Sequence, residues 1–448
     1  MKRFVLVAIT AFTACTPAQN TVPPSRTVSL NDNLPRIQSF ETQTPKAPLR
    51  SNSEIFQDFL DLAFRLESGR SIPILTRFEG PITVRIEGTP STQLVTDLRH
   101  LLQRLRDEAG LNIFLTGAEN ASITVQTVPP AKLQRAVPHA ACFVVPRVTN
   151  WDGFQKARHT PTIDWTALQR RDQAAIFVPE DAAPQELRDC LHEELAQALG
   201  PLNDLYRLPD SVFNDDNMHA VLTSFDMLVL RIYYDRELRN GMTRGAVAAR
   251  LPRILARLNP KGLQPSVPQN NTSRDWIEAI ETALSGSNSP LRRRNAAERA
   301  VNLAYSYNWT GTRLGFAHFV YGRLMVGYDS NLAHAAFEAA AREFRREPAA
   351  SVHTAHVAVQ LASYALARGD YFHTLTLAEQ AIPIASKHEN AALLSTLMMF
   401  KAEALEHIGR DEEAQAIRLD SMAWARYGFG SERNVRARMR EVASLDPN

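Results

Sequence analysis

The residues best placed to do chemistry sit in one stretch, DCLHEELAQALGPLNDLYRLPDSVFNDD, residues 189–216. His192 and Glu193 form a His-Glu pair, but the position four residues beyond His192, where a second histidine would share its helix face, is Ala196. One residue on, Glu193, Gln197 and Asn203 stand at intervals of four and six, with Glu194, Gly200 and Asp204 between and after them. Positions 193 and 197 lie one turn apart on one helix face and can aim at a single point. A left-handed Gly200 ending the helix would then let Asn203 approach that point from the far side. His192 lies about 100° around the helix from Glu193, which makes it a supporting or surface histidine.

Zinc favours imidazole and thiolate, and a catalytic site needs about three protein ligands plus water. Glu193, Gln197 and Asn203 offer oxygens, two of them from neutral amides, a set suited to a harder divalent cation. Without a strong Lewis acid, bound water stays a weak nucleophile, and Glu194 is a base with nothing acidic to deprotonate. No cofactor is expected; zinc or a harder divalent cation enters only if the site works.

This spacing resembles that of the metzincin peptidases, whose HExxHxxGxxH run precedes a Met-containing turn. In that likeness Glu194 matches the general base, Gly200 the glycine and Asp204 the trailing acid, while Glu193, Gln197 and Asn203 replace the three histidines. Ser211, Val212 and Phe213 fall where the Met-turn belongs, with Phe213 for methionine. His192, Asp204 and Phe213 are thus the supporting residues. The likeness covers roughly residues 75–240, and CLHEELAQALG and SVFNDD resemble a bacterial exported family known as a domain of unknown function. It implies a pseudo-metallopeptidase fold that binds peptide; the alternative is a hydrolase with an unconventional metal site and Glu194 as base. No GxSxG elbow, glycine-rich phosphate loop or CxxC pattern offers another chemistry.

The elements that position these residues follow from hydrophobic period. Residues 53–67 carry apolar residues at helical spacing, 81–88 alternate as a strand, and 92–110 form an amphipathic helix closed by Gly110. LNIFLTG, ASITVQTV, ACFVVPRV and AAIFVPE read as four further strands, and 222–238 as a helix opened by the Thr223–Asp226 capping box. The result is an α+β domain, metzincin-like, with a mixed sheet over 51–258, then a linker and connecting helix over 259–289. From Pro290 to Asn448 the chain is Ala-rich and all-α. Turn-like Gly327, Gly369 and Gly409 recur at 42 and 40 residues, resembling the helical hairpins of tetratricopeptide repeats.

The chain opens MKRFVLVAITAFTAC, a basic pair, a short apolar run and small residues before Cys15. This reads as a signal peptide with a lipobox, so that Cys15 carries acyl chains and anchors the protein in the periplasm, with Thr16 favouring the outer membrane. Residues 16–50, rich in Pro, Thr, Ser, Asn and Gln, read as a tether. In that oxidising compartment the remaining cysteines, Cys142 and Cys190, are expected to pair. A net charge of +2 without basic blocks points away from nucleic acid. Arg292, Arg293 and Arg294 read as a solvated helix face. The expected partners are a protein or peptide and, through the anchor, a membrane.

Overall fold

A computed structural model describes residues 37, 38, 40, 48, 50–138, 140–264 and 271–445. Cys15, the signal segment and most of the tether lie outside the described residues. The α+β portion runs α1 (Asn52–Ala63), β1 (Ile82–Glu87), α2 (Thr92–Ala109), β2 (Ile113–Leu115), β3 (Ile123–Val128), α3 (Pro130–Ala136), β4 (Phe143–Pro146), α4 (Trp151–Ala157), β5 (Ala174–Pro179) and α5 (Pro184–Leu199). It continues with α6 (Ser224–Tyr233), α7 (Arg244–Ala248) and α8 (Leu251–Leu258).

The five strands form one mixed sheet in the order β2-β1-β3-β5-β4. All neighbours are parallel except β4, which lies antiparallel on β5 at the edge. Alternation along β5 divides its side chains between two cores. Ile176 and Val178 face α2 and α5, meeting Leu98, Leu101, Leu191 and Leu195. Ala175 and Phe177 face the other way, onto Val145, Val148 and Phe154 beside α3 and α4. Covered on both faces, the strand is buried throughout, which accounts for its unbroken apolar run. Cys142 and Cys190 form a disulfide that ties the chain just before β4 to α5.

Two helix boundaries differ from expectation. α1 stops at Ala63 rather than near Glu67, because Leu66 donates to the carbonyl of Arg70 and closes a tight turn that carries Glu67. α6 stops at Tyr233 rather than Leu238, where the Arg77 guanidinium takes the carbonyls of Tyr233 and Asp235. The Thr223–Asp226 capping box is present. The two short helices α3 and α4 lack enough turns to leave a readable period.

The C-terminal part is helical throughout: α9 (Arg274–Leu284), α10 (Pro290–Ser306), α11 (Thr312–Met325), α12 (Ser330–Arg345), α13 (Ser351–Ala367), α14 (Tyr371–Lys387), α15 (Ala391–His407), α16 (Asp411–Phe429) and α17 (Glu432–Ala443). α11–α12, α13–α14 and α15–α16 pair as antiparallel neighbours, turning at the three spaced glycines. Gly369 and Gly409 take the left-handed conformation there. Buried Ala336, Ala340, Ala378, Ala381 and Ala414 let the paired helices approach closely.

This array packs against the α+β portion through several contacts. Tyr206 meets Trp276 edge-on with ring centroids 5.0 Å apart. His353 meets Asp216, Arg188 pairs with Glu389, and Tyr427 donates to Asp97 at 2.8 Å. The end of the expected tether joins in. Phe40 stacks on Trp424, and the Arg50 side chain is buried between Asp58 and Asp210. Arg50 is therefore a structural residue and not the last link of a loose spacer.

Candidate functional site

α5 begins at Pro184, whose missing N–H costs nothing in a first turn, and runs along the sheet with most of its residues buried. Its C-terminus is held by a residue far away in sequence. Arg171, 4% exposed, donates through Nη1 to the carbonyls of Gln197 and Ala198 at 2.6 and 2.7 Å, and through Nη2 to that of Gly200. A cation at the negative end of the helix satisfies carbonyls that the last turn leaves open. Its guanidinium also lies 4.9 Å from the Trp165 ring centre.

Gly200 is not left-handed, contrary to the expectation from spacing: its φ and ψ are −162° and −92°. What calls for glycine here is space. A Cβ at this position would come within 3.0 Å of the Tyr233 ring, a buried side chain of α6. The chain then runs back along the end of α1, where Leu202 donates to Leu62 and the Asn203 side-chain amide donates to the Asp61 carbonyl at 3.0 Å. Arg207, 4% exposed, bridges Asp58 and Asp61 of α1. The segment 203–214 is thereby pinned to α1.

Ser211 and Val212 both donate to the Asp226 carboxylate on α6, and Ser211 Oγ accepts from the Phe213 amide. Phe213 is fully buried in the core. Burial raises Asp226 to about 6, with those hydrogen bonds pulling the other way.

The motif residues are arranged as follows. Glu194 is 5% exposed, its carboxyl accepts the Val144 amide, and its Oε2 has no partner among the described residues. The amide of Arg147, just past β4, donates to the carbonyl of Gln173, just before β5, so strand alternation sends the Val144 amide outward. Glu194 therefore caps a free edge amide, and the next outward position, Pro146, has no amide to offer. His192 is 2% exposed and turned away from Glu194, with Nδ1 accepting from the Leu222 amide at 3.0 Å. Burial, then the nearby Arg188 and Arg104, hold it well below the ordinary histidine range, so it is neutral. Gln197 is buried on the face one turn beyond Glu193.

Glu193 is not surrounded by amides but by other acids. Burial raises Glu193 to about 7, with Glu67 and Asp215 adding to the rise. Asp204, raised well above the usual range by burial, faces Glu67, which in turn hydrogen-bonds with it. Asp215 is raised to about 6 by burial, against a hydrogen bond from Tyr206. Spacing pointed to Glu193, Glu194 and Asp204, but Glu67 and Asp215 come from turns 126 and 22 residues away from Glu193 in the sequence. Among the described residues no group of three or more His, Cys, Asp or Glu is arranged to hold a metal ion.

Residues 52–253 match the family model described as "Protein of unknown function (DUF2927)". They form a domain of unknown function. The DUF2927 match runs from the first residue of α1 into α8 and so takes in the sheet, α5, the 203–214 segment and the acids gathered around Glu193. The disulfide and the Arg171 cap also lie inside it. The helical array lies outside it. No curated protein matches the chain.

Proposed function

We propose that the chain is an exported, lipid-anchored binding protein of the periplasm. In this reading the DUF2927 domain is a metzincin relative that has exchanged its metal-binding histidines for residues with structural roles, and the helical array is of tetratricopeptide type. The partner is a protein or peptide, met away from the faces that the array and the domain bury against each other. One observation carries the non-catalytic reading: three of the motif's polar side chains engage the chain's own backbone. Asn203 donates to Asp61, Glu194 accepts from Val144, and His192 accepts from Leu222.

The mixed sheet with an antiparallel edge beside α5 supports the metzincin comparison, as does the glycine after the helix. The successive hairpins α11–α12, α13–α14 and α15–α16 support the repeat reading. The competing reading, a hydrolase, draws on a different observation. A buried carboxyl with a free oxygen and a raised pKa is the form a general acid takes.

Purified full-length protein separates the two. Metal analysis and a mixed fluorogenic peptide library should find neither stoichiometric metal nor cleavage. Cleavage abolished by Glu194→Gln would establish the hydrolase instead. The anchor is tested by Cys15→Ser, which should move the protein from the membrane fraction to the soluble one; continued detergent dependence refutes lipidation.

A further inference from the structure

Four histidines meet where the α+β portion touches the helical array. His219 comes from the 214–222 segment, His353 and His356 from α13, and His388 from the turn after α14. The His219 ring centre lies 6.1 Å from that of His353 and 5.3 Å from that of His388. His353, fully buried, places Nε2 2.7 Å from Asp216 Oδ2, while its Nδ1 has no partner among the described residues. His219 Nε2 sits 2.9 Å from the Pro209 carbonyl, and His388 Nε2 lies 2.8 Å from Ser351 Oγ. His356 has a hydrogen bond to the Met218 backbone, and its Nε2 is also without a partner among the described residues. One side of this contact is thus the 209–219 segment, and the other is α13 with the α14–α15 turn.

Imidazoles this close cannot all carry charge. The charged or titratable groups facing them are few. His219 faces Asp216, Asp210, His353 and His388; His356 faces His353, His219 and Asp216; His388 faces His219, His353, His356 and Lys387. Burial lowers His356 to about 4 and pushes His219 and His388 down as well, with neighbouring histidines adding to each shift. Asp216 already meets His353 and Asp210 already pairs with Arg50, so neither is free to neutralise cations at His219, His356 and His388.

We propose that this histidine cluster is an acid-sensitive latch, whose protonation at His219, His356 and His388 detaches α13 and the α14–α15 turn from the 209–219 segment. The direction follows from linkage. The closed contact keeps these rings neutral below their ordinary value of 6.5, whereas the opened contact lets them take up protons. Stability of the closed contact is therefore fully present above pH 6.5 and falls as the pH drops towards 4. Opening is local, because Tyr206–Trp276 on one side and Arg188–Glu389 and Asp97–Tyr427 on the other contain no histidine and keep their hold while the 209–219 segment lifts away.

The latch bears on the acids around Glu193 through one short segment. Asn214 Nδ2 donates to Asp216 at 2.8 Å, and Asp215, between them in sequence, is one of those acids. Release at Asp216 frees the segment that positions Asp215. The latch does not depend on whether the domain binds peptide or cleaves it.

Hydrogen exchange of the full chain, corrected for intrinsic rates, tests this at about pH 7.5 and about pH 5. Protection in peptides covering 214–222 and 351–358 should fall at least about tenfold at the lower pH, while α2 and β5 keep theirs. The variant His219→Gln/His356→Gln/His388→Gln should lose that pH dependence. Unchanged protection in the native chain, or uniform loss over the whole molecule, overturns the latch. So does a triple variant that opens at the same pH. Should the triple variant not fold, His388→Gln alone should lower the midpoint of opening, and an unmoved midpoint counts against the proposal.

Discussion

The guanidinium of Arg171 lies 2.6 Å from the carbonyl oxygen of Gln197, the residue one turn beyond Glu193 on α5. A buried arginine with no carboxylate partner among the described contacts serves here as the cap of the helix that carries Glu193 and Glu194. Arg171→Met keeps the length of the stem but leaves the carbonyls of Gln197, Ala198 and Gly200 without their donor. A loss of about 2–4 kcal/mol in urea unfolding is expected, by analogy with breaking one side of a buried polar contact. A change within experimental error would mean that the last turn of α5 does not need the cation.

Glu194 makes stability depend on pH in the opposite sense to the histidines. Its carboxyl is raised in the folded chain by burial first, then by Glu193 and Glu67. The folded state therefore holds a proton that the unfolded state gives up above its ordinary value of 4.5, and stability falls as pH rises beyond that value. Glu194→Gln removes the titration. It should leave stability near pH 5 almost unchanged and raise it by of the order of 1 kcal/mol at alkaline pH, read as a higher denaturation midpoint. Destabilisation at every pH would show that the carboxylate form is needed.

Gly200 is required by Tyr233, not by a left-handed backbone. Gly200→Ala brings a methyl to 3.0 Å from a ring that is 1% exposed and hemmed in, so a cost of about 1–2 kcal/mol is expected. Gly200→Val adds two more carbons against the same ring and should cost about 2–4 kcal/mol. Thermal melts that show alanine as harmless as glycine would refute the steric account.

The disulfide closes a loop of 48 residues between the edge strand and α5. Cys142→Ser/Cys190→Ser should lower stability by about 3–4 kcal/mol in the chain-entropy account. Because the bond fixes the start of β4 to α5, exchange protection at Val144 should fall more than protection at β1. Equal melting temperatures with and without reductant would exclude a stabilising role.

The sequence by itself determined the parts whose signal is local. The alternation of 82–87, the period of 92–109, the Thr223–Asp226 box and the buried run of β5 each express a preference within a few residues, so the strands and main helices could be read. The pairing of Cys142 with Cys190 was expected once Cys15, the third cysteine, was set apart as the lipidation candidate. Spacing along α5 put Glu193 and Gln197 on one face, because helix geometry fixes which residues share a face, while Glu194 and Asp204 were singled out by the metzincin resemblance. Tertiary structure decided the rest. Glu67 and Asp215 join Glu193 from turns whose positions depend on long-range bonds, and Arg171 reaches the end of α5 from the loop before β5. Gly200 answers to a ring on α6. The four histidines belong to three segments spread over some 170 residues, and His219 meets His353 and His388 only across the contact between the sheet domain and the array. Local propensity carries no information about such meetings, since they exist only once the hydrophobic cores have folded and brought the helical array against the sheet domain.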